Sequence, residues 1–232
     1  MKRVMLLLVI AGLVSLSAIA SPLCTTATLQ TYITSFTNQA NACQIGDKLF
    51  WGFSLTDLAG ATADPTASQI TLTPLGADPA NPGIRFGSGG WVIAFNDVVH
   101  QSIAYSVATI SGSVVIKDAT LGATGSVANG GTGLITETIT PAGPSSPLSV
   151  NLASANLSQN VDFSANKLAM LQVVDEILVT APLESSSVHL SIIDNNFSEV
   201  IPEPWTVLPL GAGLTLLGLM GRRNRAIAGG GK

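Results

Sequence analysis

KLFWGFSL, Lys48 to Leu55, reads with a period of two. Leu49, Trp51, Phe53 and Leu55 fall on one face and Gly52 and Ser54 on the other, the alternation of a strand laid against a core. Similar short runs follow: SQITLTPL, GWVIAFN, QSIAYSVATI, GSVVIKDATL, TGLITETIT, PLSVNL, LAMLQVVDEILVT and SVHLSII. Between them lie DPANPG (78–83), GSGG (87–90), NGGTG (129–133) and PAGPSSP (141–147). Such clusters turn the chain because Gly tolerates positive φ, Pro fixes φ, and Asn, Asp and Ser bond back to their own backbone. LAMLQVVDEILVT also suits a helix through Leu168, Leu171, Val174 or Asp175, and Leu178; it is read as a strand. Many short strands at fairly even spacing, with few long helical patterns, predict a mainly-β fold: an antiparallel β-sandwich, with a jelly-roll or barrel arrangement as its variant.

Upstream, TTATLQTYITSFTNQANA places Leu29, Tyr32, Ile33 and Phe36 at i, i+3, i+4 and i+7, which predicts a short amphipathic N-terminal helix. Cys24 and Cys43 flank it and are the chain's two cysteines. In an oxidising compartment they are expected to pair, and closing a loop of about twenty residues stabilises by roughly 3 kcal/mol. A metal or redox role is disfavoured by their wide spacing and the lack of a nearby His.

The 232 residues carry a formal charge of −4, but cations gather at the ends: Lys2, Arg3, Arg222, Arg223, Arg225 and Lys232. From Ser21 to Glu199, four basic residues (Lys48, Arg85, Lys117, Lys167) face thirteen acidic ones, a net of about −9. That surface repels phosphate backbones, so nucleic acid is not an expected partner. Lys2 and Arg3, the apolar run from Val4 to Leu16, and Ala18-Ile19-Ala20 form a signal-peptide pattern over 1–20, with cleavage expected between Ala20 and Ser21. Leu23 is too large for the residue before a lipidated Cys24. One extracellular domain is expected over 21–199, large enough to bury a real core.

After it comes VIPEPWTVLPLGAGLTLLGLMGRRNR. Pro202 and Pro204 each fix their own φ and push the preceding residue toward extended backbone, so Ile201 to Pro204 should form a stiff, protease-accessible spacer. Trp205 to Met220 spans about 24 Å as helix, enough for a membrane crossing if Trp205 anchors one interface and Arg222 and Arg223 snorkel to the other. With Arg225 they form a basic stop on the cytoplasmic side, leaving 226–232 as a short tail.

In this order of parts, residues 200–225 resemble the PEP-CTERM sorting domain of exported bacterial proteins. CQIGDKLFWGFSL after an earlier cysteine also looks like the ectodomain start of many such proteins. The resemblance implies recognition of Pro202, Glu203 and Pro204 by an exosortase, a membrane-embedded cysteine transpeptidase. It further implies removal of the C-terminal transmembrane helix and transfer to the cell surface or extracellular matrix of a Gram-negative host that makes exopolysaccharide. Signal peptidase and exosortase are then the partners in export, and polysaccharide the partner outside. The residues after the arginines, AIAGGGK, are extra to the family pattern.

Candidate chemistry within the domain is sparse, and no enzyme, cofactor or metal centre is expected. His189 is expected to face solvent and His100 to sit at a turn, neither in a metal-ligand pair nor beside a nucleophile. Glu137, Asp162, Asp175 and Glu176 are the carboxylates open to glycoside hydrolysis, but Asp175 and Glu176 point to opposite faces of a strand, and a solvated face is expected for them. The acidic runs at 78–83 and 194–196 are too sparse for a known calcium loop. Trp51, Trp91 and Tyr105 are the flat rings available to stack on sugar; Trp51 is expected in the core and Trp91 exposed. Asn156 and Asn196 head glycosylation sequons. These residues fit a structural or adhesive role, with a carbohydrate-binding module and a glycan hydrolase as alternatives.

Overall fold

In the computed structural model of the protein, residues 21–200 are described apart from 79, 111–113, 142–146 and 167, and within them the period-two runs build two antiparallel sheets. The first strands are β1 (Ala27–Thr28), β2 (Cys43–Ile45), β3 (Lys48–Asp57), β4 (Thr71–Leu75), β5 (Gly83–Gly87) and β6 (Val92–Ala94). Long strands follow: β7 (Asp97–Thr109), β8 (Val115–Ala128) and β9 (Thr132–Thr140). The last are β10 (Leu148–Asn151), β11 (Ser158–Asp162), β12 (Met170–Ala181) and β13 (Ser187–Val200). One sheet runs β10-β9-β12-β7-β3-β2; the other runs β1-β4-β5-β13-β8-β11, with β6 also paired to β13. Their apolar faces close on one core, which makes the domain an antiparallel β-sandwich.

Sandwich strands bury one residue in two, and β12 follows the rule: Leu171, Val173, Asp175, Ile177, Val179 and Ala181 are buried. The residues between them are exposed or half-buried, as a strand rather than a helix requires.

KLFWGFSL departs from a single face. Lys48 and Phe50 point into the core, whereas Leu49 and Trp51 turn outward and pack with Ala42 and Ala108 in a separate small cluster. The register against β7 then slips between Trp51 and Ser54, after which Phe53 and Leu55 join the core. Gly52 makes the slip feasible: its φ of +70 is open to glycine and strained for other residues. The side-chain parity therefore reverses halfway along the strand. β13 makes the same move between Leu190 and Ile192, so that Val188 and Leu190 are followed inside by Ile193, Asn195 and Phe197. Between β8 and β9, Asn129 (φ 50) and Gly130 (φ 84) form the tight turn that passes the chain from one sheet to the other.

The expected N-terminal helix is α1 (Leu29–Ser35), with Thr28 accepting a capping bond from the Thr31 amide. Leu29 and Tyr32 are buried, and Ile33 and Phe36 pack at the core's margin. Tyr32 meets Phe53 edge-on at 5.0 Å between ring centroids. Cys24 and Cys43 are disulfide-bonded, fastening the start of the domain to β2.

Candidate functional site

Trp91 lies in the core, against the expectation that it is exposed. Ser88 accepts a bond from the Gly90 amide and donates to the Gln69 carbonyl, folding Gly89–Trp91 into a tight 3-10 turn that swings the indole inward. The indole N–H then donates to Gln101 Oε1 at 2.9 Å, and Gln101 Nε2 donates to the Pro65 carbonyl. Tyr105 is buried too, stacked on Phe53 with centroids 5.7 Å apart, and Trp51 is covered on the outer surface of its sheet. None of the three rings is free to take a sugar.

The carboxylates bring a second correction. Glu137 on β9 and Asp175 on β12 stand opposite each other in register, both fully buried, rather than on a solvated face. Glu176, next in sequence, points outward as alternation requires. From the facing sheet Asn195, also fully buried, donates its Nδ2 to Asp175 Oδ2. The Tyr105 hydroxyl approaches from β7, beside the Asn195 amide. Four oxygens in this cluster make no hydrogen bond to any protein group: both of Glu137, Asp175 Oδ1 and Asn195 Oδ1. Burial raises the Asp175 carboxyl to about 7. Burial, and then the Asp175 charge, push Glu137 well above the carboxylate range. Parity was the signal available in sequence: each acid occupies a core position between apolar neighbours, Ile135 and Ile139 or Val173 and Ile177.

The remaining candidates stay apart. His100 lies within β7 rather than at a turn, its ring nitrogens 2.9 Å from the Ala59 carbonyl and 3.0 Å from Glu176 Oε1. The Glu176 contact, followed by the bond to Ala59, raises its pKa. His189 and Asp162 are exposed, as is Asn156, while Asn196 is half-buried.

The two acidic runs do converge, on a groove of about 590 Å³ on the outer face of the second sheet, lined among others by Asp78, Asn81, Arg85, Thr120, Asp194 and Asn196. Arg85 clamps Asp194 with both prongs of its guanidinium, at 2.7 and 2.8 Å, and Asp78 accepts from Asn81 and the Ala80 amide. With each carboxylate already occupied, the groove offers hydrogen-bonding groups rather than a cation cradle. Among the described residues no group of three or more His, Cys, Asp or Glu is placed to hold a metal ion.

No protein-family model matches the chain, and no curated protein matches it in sequence. Among solved structures it is similar to TmCBM61, solved in complex with β-1,4-galactotriose: 8% identity over 65% of this chain and 88% of that one, TM-score 0.29. It is also similar to the enzymatically active domain of bacteriophage CBA120 tailspike protein 4, at 10% identity over 62% of this chain and 19% of that chain, TM-score 0.28. A family two carbohydrate esterase from Cellvibrio japonicus matches at 14% identity over 66% and 36%, TM-score 0.23. Likenesses this distant bear on neither ligand nor activity.

At one end of the sandwich the chain's first and last described segments both pack beside the β2–β3 hairpin. Leu23 bridges to Gln44, and the Cys24 amide bonds to the Gln44 carbonyl at 3.0 Å. Next to this, the hairpin from β2 to β3 carries Lys48, whose fully buried ammonium bonds Asp47 at 2.6 Å and Glu199 of β13 at 2.8 Å. Burial lowers the Lys48 pKa, opposed by the Asp47 contact. Ala20, Pro202, Glu203, Pro204, Arg222, Arg223 and Arg225, with the signal peptide and the transmembrane segment, lie outside the described residues. Among those described, no helix is long and apolar enough to cross a membrane.

Proposed function

We propose that this chain is a non-enzymatic surface or extracellular-matrix protein. It is exported by its N-terminal signal, held at the inner membrane by its C-terminal span, and released by an exosortase acting at Pro202, Glu203 and Pro204. The observation that carries this reading is the convergence of Leu23–Cys24 and Glu199–Val200 on one end of the sandwich, joined by Lys48. A domain threaded between two segments of the same bilayer must release both ends toward that bilayer. In the sandwich both ends lie beside the β2–β3 hairpin, and Pro202 follows two residues after β13 ends. The non-enzymatic part is supported by the burial of Glu137 and Asp175, which removes this facing pair of carboxylates from any glycan.

Intact-mass analysis of membrane and medium fractions, from hosts with and without the exosortase, tests the reading. The medium should contain a form lacking Met1–Ala20 and the C-terminal span. Replacing Pro202, Glu203 and Pro204 with Ala should leave an unprocessed precursor in the membrane and little product outside, a loss of about tenfold or more on the scale of a removed recognition motif. Full-length C-terminus in the medium would contradict it.

A second reading is retention of extracellular polysaccharide in the Arg85–Asp194 groove, favoured by its row of exposed and half-exposed hydrogen-bonding groups and its volume of about 590 Å³. Removing the charged fork by Arg85→Ala should then weaken retention on host polysaccharide about tenfold, as expected for a lost charge-assisted contact. Unchanged retention would leave the domain as scaffold alone.

A further inference from the structure

We propose that the cluster of Glu137, Asp175, Asn195 and Tyr105 between the two sheets is a calcium site that locks the sheets together. Two carboxylates directly opposite on neighbouring strands repel, and deep burial removes the water that would screen them. Folding tolerates such a pair only if something neutralises it, and the choices are protons or a cation.

The positions of the oxygens favour the cation. A proton shared between the two acids supplies a single donor and leaves most of the cluster's oxygen lone pairs without one. Here the Asn195 amide makes one hydrogen bond, to Asp175 Oδ2, and this orients the asparagine so that Oδ1 is left over. That oxygen, both Glu137 oxygens and Asp175 Oδ1 are buried without hydrogen-bonding to any protein group, and the Tyr105 hydroxyl lies beside the Asn195 amide. Asn195 and Tyr105 are as deeply buried as the acids and are not acidic, so the cluster is more than a patch of like charge. An all-oxygen set with two negative charges suits a hard divalent ion, and its irregular mixture of carboxylate, amide and phenol suits calcium's flexible coordination better than the strict octahedron of magnesium.

The ligands also explain a mechanical consequence. Glu137, Asp175 and Tyr105 come from β9, β12 and β7 of one sheet and Asn195 from β13 of the other, so one ion ties four strands across the core. This inference is independent of the polysaccharide and exosortase readings.

The test uses the full chain purified from its host. Elemental mass spectrometry should count about one calcium per chain, and adding EGTA should lower the melting temperature by about 5–10 °C relative to about 1 mM calcium. The near-isosteric double substitution Glu137→Gln with Asp175→Asn should retain no ion and melt alike with calcium or EGTA. Should that variant fail to fold, Tyr105→Phe removes a single donor oxygen and should release calcium at lower EGTA. Wild-type protein without metal, insensitive to EGTA and stabilised by acidification, would overturn the proposal in favour of a proton-sharing pair. Calcium retained by the double variant would equally overturn it, by placing the ion elsewhere.

Discussion

Trp91→Ala is expected to destabilise the domain by about 4 kcal/mol, since deleting a fully buried indole leaves a large void that the surrounding sheet closes only in part. The loss has a polar component as well. Gln101 Oε1 accepts from the indole N–H, and without it this oxygen sits in the core unpaired, while Gln101 Nε2 still holds the Pro65 carbonyl. For a domain of this length the drop corresponds to a melting temperature lower by roughly 8–16 °C. Trp91→Phe separates the contributions: it fills most of the space but cannot donate, and should cost about half as much. The same substitutions should leave retention on host polysaccharide unchanged for whatever fraction stays folded, because no face of the ring reaches solvent. Thermal unfolding followed by near-ultraviolet circular dichroism checks the first point, and pull-down of the folded fraction checks the second. A loss below about 1 kcal/mol, the range of ordinary surface substitutions, would mean the indole is not packed as described.

The contrast between Trp91 and β12 explains what local pattern could reveal. Along LAMLQVVDEILVT the alternation of Leu171, Val173, Ile177 and Val179 persists long enough to exclude the helical alternative, and the strand lies as read. The sandwich class follows because many such runs share one period. GSGG before Trp91 signals a turn, yet the direction in which that turn throws the ring depends on Ser88 meeting Gln69, a contact made across the fold. The same limit applies to KLFWGFSL, where Gly52 reverses the parity and only the glycine itself hinted at a bulge. GIRFG in β5 and SQNVD in β11 carry weak strand patterns, and their extended form is imposed by β13 and β8 beside them. Glu137 and Asp175 each occupied an inward position in its own strand, but their meeting is set by the β9–β12 register, which no single segment encodes. At those two positions polar identity argues for solvent and parity for the core, and the fold follows parity.

Removing the Cys24–Cys43 bridge should have the next largest effect. The two residues are 19 apart, and in the chain-entropy account the cross-link withholds about 3 kcal/mol of freedom from the unfolded chain. Either Cys24→Ser with Cys43→Ser, or reduction of the native protein, should lower the melting temperature by roughly 6–12 °C. The bridged loop contains α1, yet the helix has other anchors: the Leu29 amide bonds to Ile70, the Gln30 amide to Ala67, and Tyr32 packs on Phe53. Loss of the bridge should therefore spare α1 and loosen Pro22 to Cys24 and Cys43 to Ile45 first, where β2 is an edge strand and Leu23 contributes one isolated bridge. Faster amide exchange at Cys24 and Gln44 than at Leu29 would register that order. In the proposed function this local loosening would matter, because the same end carries Lys48 and Glu199, shortly before Pro202 in the sequence. Under the proposed export route, a bridge formed outside the cell would stiffen the domain's first segment before its C-terminal span is cut. If reduction changes neither melting nor exchange, the cross-link contributes nothing to the fold, and that ordering of events loses its physical basis.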